Sequence, residues 1–265
     1  MNDLLINPKT KLAIKAYLKE PIHALLLVGR KGIGLGTLAT AIAKQIAKQN
    51  VVIVRPKLHK TQKTENINTE DIRELAKITQ TKRNEALVIV VDDAEKMTAG
   101  APEAFLKSLE EPVSQVYYIL TSHSTNNLPT TILSRVQIIE VLPSNTESLT
   151  KDIKLKIKQR QIEFIANGLP AEVCRLRDDE IYFRTKAKLY EDAKKYLNAS
   201  VYEKLIYIPN FKNREEALEF LFIVSKLAQM KSTNPKTLAV LSDVIDNLSH
   251  NGNIKAQLTY LATNW

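Results

Sequence analysis

The sequence is poor in the residues that staple or punctuate a fold. Cys174 is the single cysteine in 265 residues, which excludes an internal disulfide framework and a cysteine-cluster zinc site. No run of about 18 apolar residues occurs. The start, Met1-Asn2-Asp3, lacks the basic-then-apolar pattern of a signal sequence. The expectation is a soluble, cytoplasmic protein with no membrane partner. Glycine is scarce: there are seven, well below the usual share of about 7%. What remains is ordinary globular composition, 44% apolar and 25% charged, which excludes a disordered tail or a coiled coil. The length allows one large domain or two to three small ones.

Acidic residues are also in short supply, 29 against 38 basic ones, for a net charge of +9. The excess is spread along the chain, with one local cluster at Lys151, Lys154, Lys156, Lys158 and Arg160. Such a cluster is either a solvated helix face or a phosphate-tracking surface. Charge alone decides nothing here.

The distribution of glycine is more telling. Four of the seven are Gly29, Gly32, Gly34 and Gly36. The apolar run Ala24-Leu25-Leu26-Leu27-Val28 precedes them, and Leu38, Ala41, Ile42 and Ile46 follow at helical spacing. Strand, glycine loop and helix together form the setting in which a P-loop cradles phosphates with backbone N–H groups. The working pattern is G-x-x-x-x-G-K-S/T, and Gly29 to Gly34 fit its glycine frame. The next two positions are Leu35 and Gly36, where the lysine and the Mg²⁺-binding hydroxyl belong. A missing lysine removes a charge-assisted contact of roughly 1.5–3 kcal/mol, and a missing hydroxyl removes a metal ligand. Lys31 lies inside the loop and is expected to point to solvent. The reading is a nucleotide-site architecture without its catalytic hardware and without ATPase activity of its own.

A second element agrees with it. Ala86-Leu87-Val88-Ile89-Val90-Val91 reads as a central strand buried on both faces, and it ends in Asp92-Asp93. In P-loop ATPases an acid at this position holds Mg²⁺, and its neighbour, usually Glu, polarises the attacking water. Asp93 is one methylene shorter than that Glu. On its own an acid pair could equally serve loop solubility or helix capping; the glycine loop upstream gives it weight.

Three segments carry a family resemblance. Ala104-Phe105-Leu106-Lys107-Ser108-Leu109-Glu110-Glu111-Pro112 resembles the "ALLKTLEEP" helix of bacterial DNA polymerase III clamp-loader subunits. Leu128-Pro129-Thr130-Thr131-Ile132-Leu133-Ser134-Arg135-Val136-Gln137 resembles their "LLPTILSRCQ" segment, and Ile67 to Leu75 their "I-x-I-D-x-I-R-E-L" stretch. The likeness covers residues 20–142, with looser echoes at Ala166-Asn167-Gly168-Leu169-Pro170 and Asn253 to Leu258. It departs in three places. The four-cysteine zinc module of many relatives is missing, Val136 replaces a cysteine, and Glu103 stands where the helix opens with Asn.

The resemblance implies an AAA+ P-loop parallel sheet domain (1–143), a small helical lid (144–209) and a C-terminal helical collar (210–265). The sequence itself supplies candidate strands at 24–28, 51–54, 87–91, 116–120 and 137–141 alternating with helical patterns. Breaks follow at Pro143-Ser144-Asn145 and Pro209-Asn210. Residues 214–265 read as three helices, with Leu218, Leu221, Phe222, Ser225 and Leu227 as one face. That segment is too small for a large core of its own. It is expected to bury this face against partner subunits, the alternative being a bundle docked on its own lid.

Within the family, a loop without its lysine and hydroxyl implies the non-hydrolysing delta-prime subunit rather than the gamma/tau motor. ATP and Mg²⁺ would then be bound by neighbouring subunits, and this chain would hold no cofactor or metal of its own. Gly29, Gly32, Gly34, Leu35, Gly36, Asp92 and Asp93 form the degenerate site. Ser134 and Arg135 match the motif from which family members present an arginine finger to the adjacent subunit's ATP. The alternative for Arg135 is a surface arginine paired with a carboxylate. Implied partners are the gamma/tau and delta subunits and, through the complex, the sliding clamp and primer-template DNA. Two other functions stay open: an ATP-hydrolysing gamma/tau-like motor and a stand-alone DNA-binding protein.

Overall fold

The computed structural model describes residues 4–59, 64–79, 84–208, 211, 213–231, 234–250 and 252–265. The chain divides into two compact units. One comprises residues 1–159 with 166–174, the other 160–165 with 175–265.

The first unit opens with α1 (Pro8–Lys19), whose Pro8 follows an Asn7 cap. There follow β1 (Ala24–Val28), α2 (Leu35–Ala47), β2 (Val51–Val54), α3 (Thr69–Thr79), β3 (Leu87–Val91), α4 (Ala101–Glu110), β4 (Val116–Ser122), α5 (Thr130–Leu133), β5 (Gln137–Glu140) and α6 (Glu147–Thr150). The five strands form one sheet in the order β2-β3-β4-β1-β5, every neighbour parallel. Parallel strands need crossover connections, and α2 to α5 supply them. The sheet is covered on both faces, which is why β1 and β3 read as unbroken apolar runs rather than as alternations. Successive side chains still part to opposite sides. Leu26, Ile89, Val91 and Leu120 face α3 and α4, with Phe105 edge-on to Tyr118 at 5.1 Å between centroids. Leu25, Leu27, Val88, Val90 and Ile119 face α1 and α2, against Ile14, Leu38 and Ile42.

The expected α/β parallel sheet is thus present. Its β4 runs two residues further than the apolar pattern suggested, to Thr121 and Ser122, both fully buried. After β2, Lys57 forms an antiparallel bridge with Asn66. It is pinned there by the buried carboxylate of Asp71, which lies 2.6 Å from Lys57 Nζ and 3.2 Å from His59 Nε2.

Helices α7 (Lys156–Ala166) and α8 (Pro170–Asp178) each contribute to both units. The second unit adds α9 (Glu180–Asn198), α10 (Val201–Tyr207), α11 (Arg214–Met230), α12 (Pro235–Ser249) and α13 (Ile254–Thr263). Asp179, Ser200, Asn213, Asn234 and Asn253 cap these helices, Ser200 in a reciprocal capping box with Glu203. Their core gathers Tyr196, Phe220, Leu221, Val224, Leu241, Val244, Leu248, Leu258 and Leu261. Tyr196 is its hub, edge-on to Phe220 and Trp265 at 5.3 and 5.7 Å.

Two expectations about this region need correction. The buried face of α11 is Ala217, Phe220, Leu221, Val224, Leu227 and Ala228 at i, i+3, i+4, i+7 spacing, widened by Ile223. Phe222, assigned to that face from sequence, points away from it and is 57% exposed. The three C-terminal helices also do not leave their stripe for a partner, because Ala193 and Tyr196 of α9 complete the same core. The break at Pro209-Asn210 lies outside the described residues. Among the described residues no helix is long and apolar enough to cross a membrane.

Candidate nucleotide site and a candidate interface arginine

The glycine loop lies between the end of β1 and the start of α2. Gly32 and Gly34 adopt φ of +89° and +95°, values that only glycine takes without strain. Gly34 caps α2, and its carbonyl accepts from Leu38 N at 3.0 Å. The backbone is shaped like a phosphate cradle, but the side chains around it point elsewhere.

Leu35, in the lysine position, is 4% exposed and belongs to the apolar cluster on the α1/α2 face with Ile33, Leu38, Val141 and Leu169. At Gly36, in the hydroxyl position, a Cβ would meet Asp92 Oδ2 at 2.5 Å. The carboxylate of Asp92 is packed onto the bare backbone of α2. Asp92 Oδ1 accepts from the Thr121 hydroxyl at 2.7 Å, and Oδ2 lies 3.4 Å from Arg55 Nε. Asp93 turns the chain after β3 in a left-handed conformation (φ 53°), its N–H donating to Thr121 Oγ1 at 2.9 Å. Because β4 lies between β1 and β3, Thr121 is delivered to the midpoint of the acid pair and ties both residues down. Asp93 is further engaged by Lys96 at 2.9 Å and His123 at 3.5 Å. That hydrogen bond holds the Lys96 ammonium above its ordinary pKa.

The first turn of α8 closes the loop from outside. Glu172 N donates to the carbonyl of Gly32 at 2.9 Å, and a Cβ on Gly32 would meet Glu172 Cβ at 3.0 Å. Lys31 is exposed, as expected. Asp93, Glu95 and His123 each bring one potential metal-donor atom within 4.8 Å of the others, but Asp93 Oδ2 in that group already accepts from Lys96 Nζ at 2.9 Å. The seven sequence-assigned loop and acid residues therefore come together around the β1–α2 turn. The chemistry there is that of a closed hydrogen-bonded cluster with carboxylates at the place where phosphates would need cations.

Arg135 follows the short helix α5, which Ser134 terminates. Its Nη1 donates to the Thr131 carbonyl at 2.9 Å and to Ser134 Oγ at 3.0 Å. Its Nη2 lies 2.7 Å from Glu110 Oε1, both side chains remaining part-exposed. The surface ion pair named as the alternative is thus real, and Ser134 is a partner of the arginine rather than a bystander. Sequence reasoning missed Thr121, Glu172 and Glu110. Thr121 was detectable as the polar continuation of an apolar strand, whereas the other two act across chain distances that no local pattern reveals.

A glycine loop after β1, an acid pair after β3 and an arginine before β5, on a sheet of order β2-β3-β4-β1-β5, define an AAA+ P-loop fold. Solved structures agree on that fold. A RuvB variant of Thermotoga maritima superposes with a TM-score of 0.51 at 16% identity, over 99% of this chain and 89% of that one. A DNA polymerase III gamma subunit-related protein of the same organism superposes at 0.50 and 17%, over 96% and 97%. The sequence narrows the class. Residues 48–145 match the family model described as DNA polymerase III, delta subunit. The chain is 26% identical to the DNA polymerase III subunit delta' of Haemophilus influenzae over 153 residues, 51% of this chain and 47% of that protein. It is 24% identical to subunit tau of Bacillus subtilis over 214 residues, 69% and 38%. The aligned regions thus span less than half the length of these relatives. Over these partial regions the chain is similar to DNA polymerase III clamp-loader subunits.

Proposed function

We propose that the chain is a delta-prime-type subunit of a DNA polymerase III clamp loader. It does not bind or hydrolyse ATP itself, and it presents Arg135 to the ATP held with Mg²⁺ by a neighbouring gamma/tau-type subunit. In this reading it assembles with gamma/tau and delta subunits and supports loading of the sliding clamp onto primer-template DNA. Residues 1–143 serve as the AAA+ domain, 144–209 as the lid and 210–265 as the collar. The observation that carries the reading is the state of the loop: Leu35 is buried where a lysine must reach phosphate, and Asp92 rests on Gly36 where a hydroxyl must reach Mg²⁺. Arg135 supplies the complementary argument. A planar, permanently charged fork suits the γ-phosphate oxygens as charge develops, and such a role explains why a subunit with an inert loop would stay in a catalytic assembly.

Titration of the purified chain with a fluorescent ATP analogue and Mg²⁺ tests the first half. No micromolar binding and no hydrolysis are expected. Mg²⁺-dependent micromolar binding with turnover at the rate of an AAA+ motor would instead support the gamma/tau-like reading, which the matches to tau and gamma subunits keep in view.

A further inference from the structure

We propose that Glu110 is a positioning residue for Arg135, fixing the guanidinium before it meets a neighbour's phosphate. This inference rests on the arginine-finger reading above and adds to it a residue from a separate segment of the chain. A guanidinium carries five N–H donors. Nη1 commits its hydrogens to the Thr131 carbonyl and Ser134 Oγ, which anchors one end of the fork to the last turn of α5. Glu110, the last residue of α4, meets the other end at Nη2. Nε–H has no acceptor among the described residues, so that edge of the fork stays available for an incoming oxyanion.

The energetics favour positioning over tight storage. An exposed arginine–carboxylate pair is weak, so a γ-phosphate with its greater charge displaces or shares the contact at little cost. A freely rotating arginine side chain loses much rotamer entropy when it is ordered. Contacts that limit it in advance lower the ordering cost at the moment of transition-state stabilisation. Removal of Glu110 should therefore act on turnover rather than on nucleotide affinity.

The test uses the complex reconstituted with its ATPase subunits, the clamp and primed DNA, comparing wild type with Glu110→Ala, Glu110→Gln, Arg135→Ala and the double variant Glu110→Ala/Arg135→Ala. Assembly is verified by gel filtration. Glu110→Ala should lower the DNA-stimulated kcat by about three- to tenfold at unchanged KM for ATP. Glu110→Gln, which keeps an acceptor for Nη2, should recover most of the rate. The double variant should be no slower than Arg135→Ala alone, because Glu110 acts only through the arginine. If Arg135→Ala matches wild type, the finger reading fails and takes this inference with it. If Arg135→Ala slows the complex but Glu110→Ala does not, or accelerates it, the finger stands and the positioning role is refuted. Additive losses in the double variant refute it as well, since Glu110 would then be acting elsewhere.

Discussion

Gly36→Ala opposes two physical effects of different sign at one residue. Gly36 is the second residue of α2, and replacing a helical glycine by alanine usually stabilises by up to about 1 kcal/mol. Here the new Cβ would lie 2.5 Å from Asp92 Oδ2 and 2.8 Å from Oδ1, so the carboxylate must retreat by roughly 1 Å to reach ordinary van der Waals contact. Its retreat breaks the hydrogen bond from Thr121, a hydroxyl-to-carboxylate interaction of about 1.5–3 kcal/mol. It also disturbs the corner at Asp93, whose N–H uses the same hydroxyl oxygen. The contact loss outweighs the propensity gain, and a net destabilisation of about 1–2 kcal/mol is expected. Urea unfolding followed by amide hydrogen exchange in β3 and β4 measures it within the first unit. Thr121→Val should remove most of the difference, since the broken bond is then already missing. A Gly36→Ala chain more stable than wild type would mean that Asp92 moves freely and that the loop is not locked by it. By the same logic Leu35→Lys/Gly36→Thr should fail to create an ATPase, because the new hydroxyl enters the space Asp92 occupies.

Gly168→Ala should destabilise the first unit by about 1–3 kcal/mol, because φ is +77° and the Cβ would meet the Ser144 carbonyl at 2.9 Å; denaturant midpoints check this, and no change would refute the strain. Lys204 is 3% exposed against Trp265, and burial lowers its pKa below the ordinary 10.5, as it does for Lys226. The folded state therefore sheds these protons before the unfolded chain does, and stability of the second unit should rise with pH up to about 10. Above that the buried Tyr196, whose pKa is raised, reverses the trend. Fluorescence of Trp265, the single tryptophan, follows the urea midpoint, and Lys204→Met should flatten the rise. Phe222→Asp, at an exposed site of α11, should shift stability by under about 0.5 kcal/mol yet prevent co-purification with gamma/tau-type subunits if 210–265 is the collar. Truncation after residue 209 should unfold α9 as well, since Tyr196 loses Phe220; an intact α9 in the truncated chain would refute the shared core.

β1 and β3 were legible because burial on both faces leaves a signal that needs no partner, and the edge strand β2, though part-exposed, still shows as a β-branched apolar run. β4 was read two residues short because Thr121 and Ser122 are polar. They are buried for hydrogen bonding to Asp92 and Ser124 rather than for packing. The candidate site was legible as a set of positions but not as an arrangement. Composition at 35 and 36 reveals which groups are missing; it does not reveal that Leu35 turns into the core or that Asp92 fills the gap. From sequence Arg135 carried two readings, a finger for a neighbour's ATP or a surface arginine paired with a carboxylate, and the structure shows the pair with Glu110. Its pairing with Glu110 joins segments 25 residues apart in sequence, and that is tertiary information. The α11 face was misassigned for a different reason. Phe222 is apolar and adjacent to the true stripe, and a rule counting apolar residues at helical spacing cannot tell an exposed phenylalanine from a buried one.

The loop proposed to bind no nucleotide nevertheless keeps a phosphate-cradle backbone, to the level of two left-handed glycines. The contacts around it give a reason that does not involve ATP. The Gly32 carbonyl receives Glu172 N, and Leu169, just before α8, packs into the cluster that contains Leu35 and Ile33. The turn at Gly168 in turn holds Ser144 N with its carbonyl. Loop, turn and first turn of α8 thus form one closed set of backbone hydrogen bonds over an apolar floor. Straightening the loop would cost all of them together. In an active P-loop protein a bound nucleotide supplies ordering free energy to this region by mass action. Here the side chains of Leu35 and Asp92 and the backbone N–H of Glu172 hold it in place. In the proposed reading, the leucine that denies position 35 its nucleotide chemistry thus also helps to fix the region in one shape. That is a suitable property for a subunit whose proposed task is to hold Arg135 steady for its neighbour.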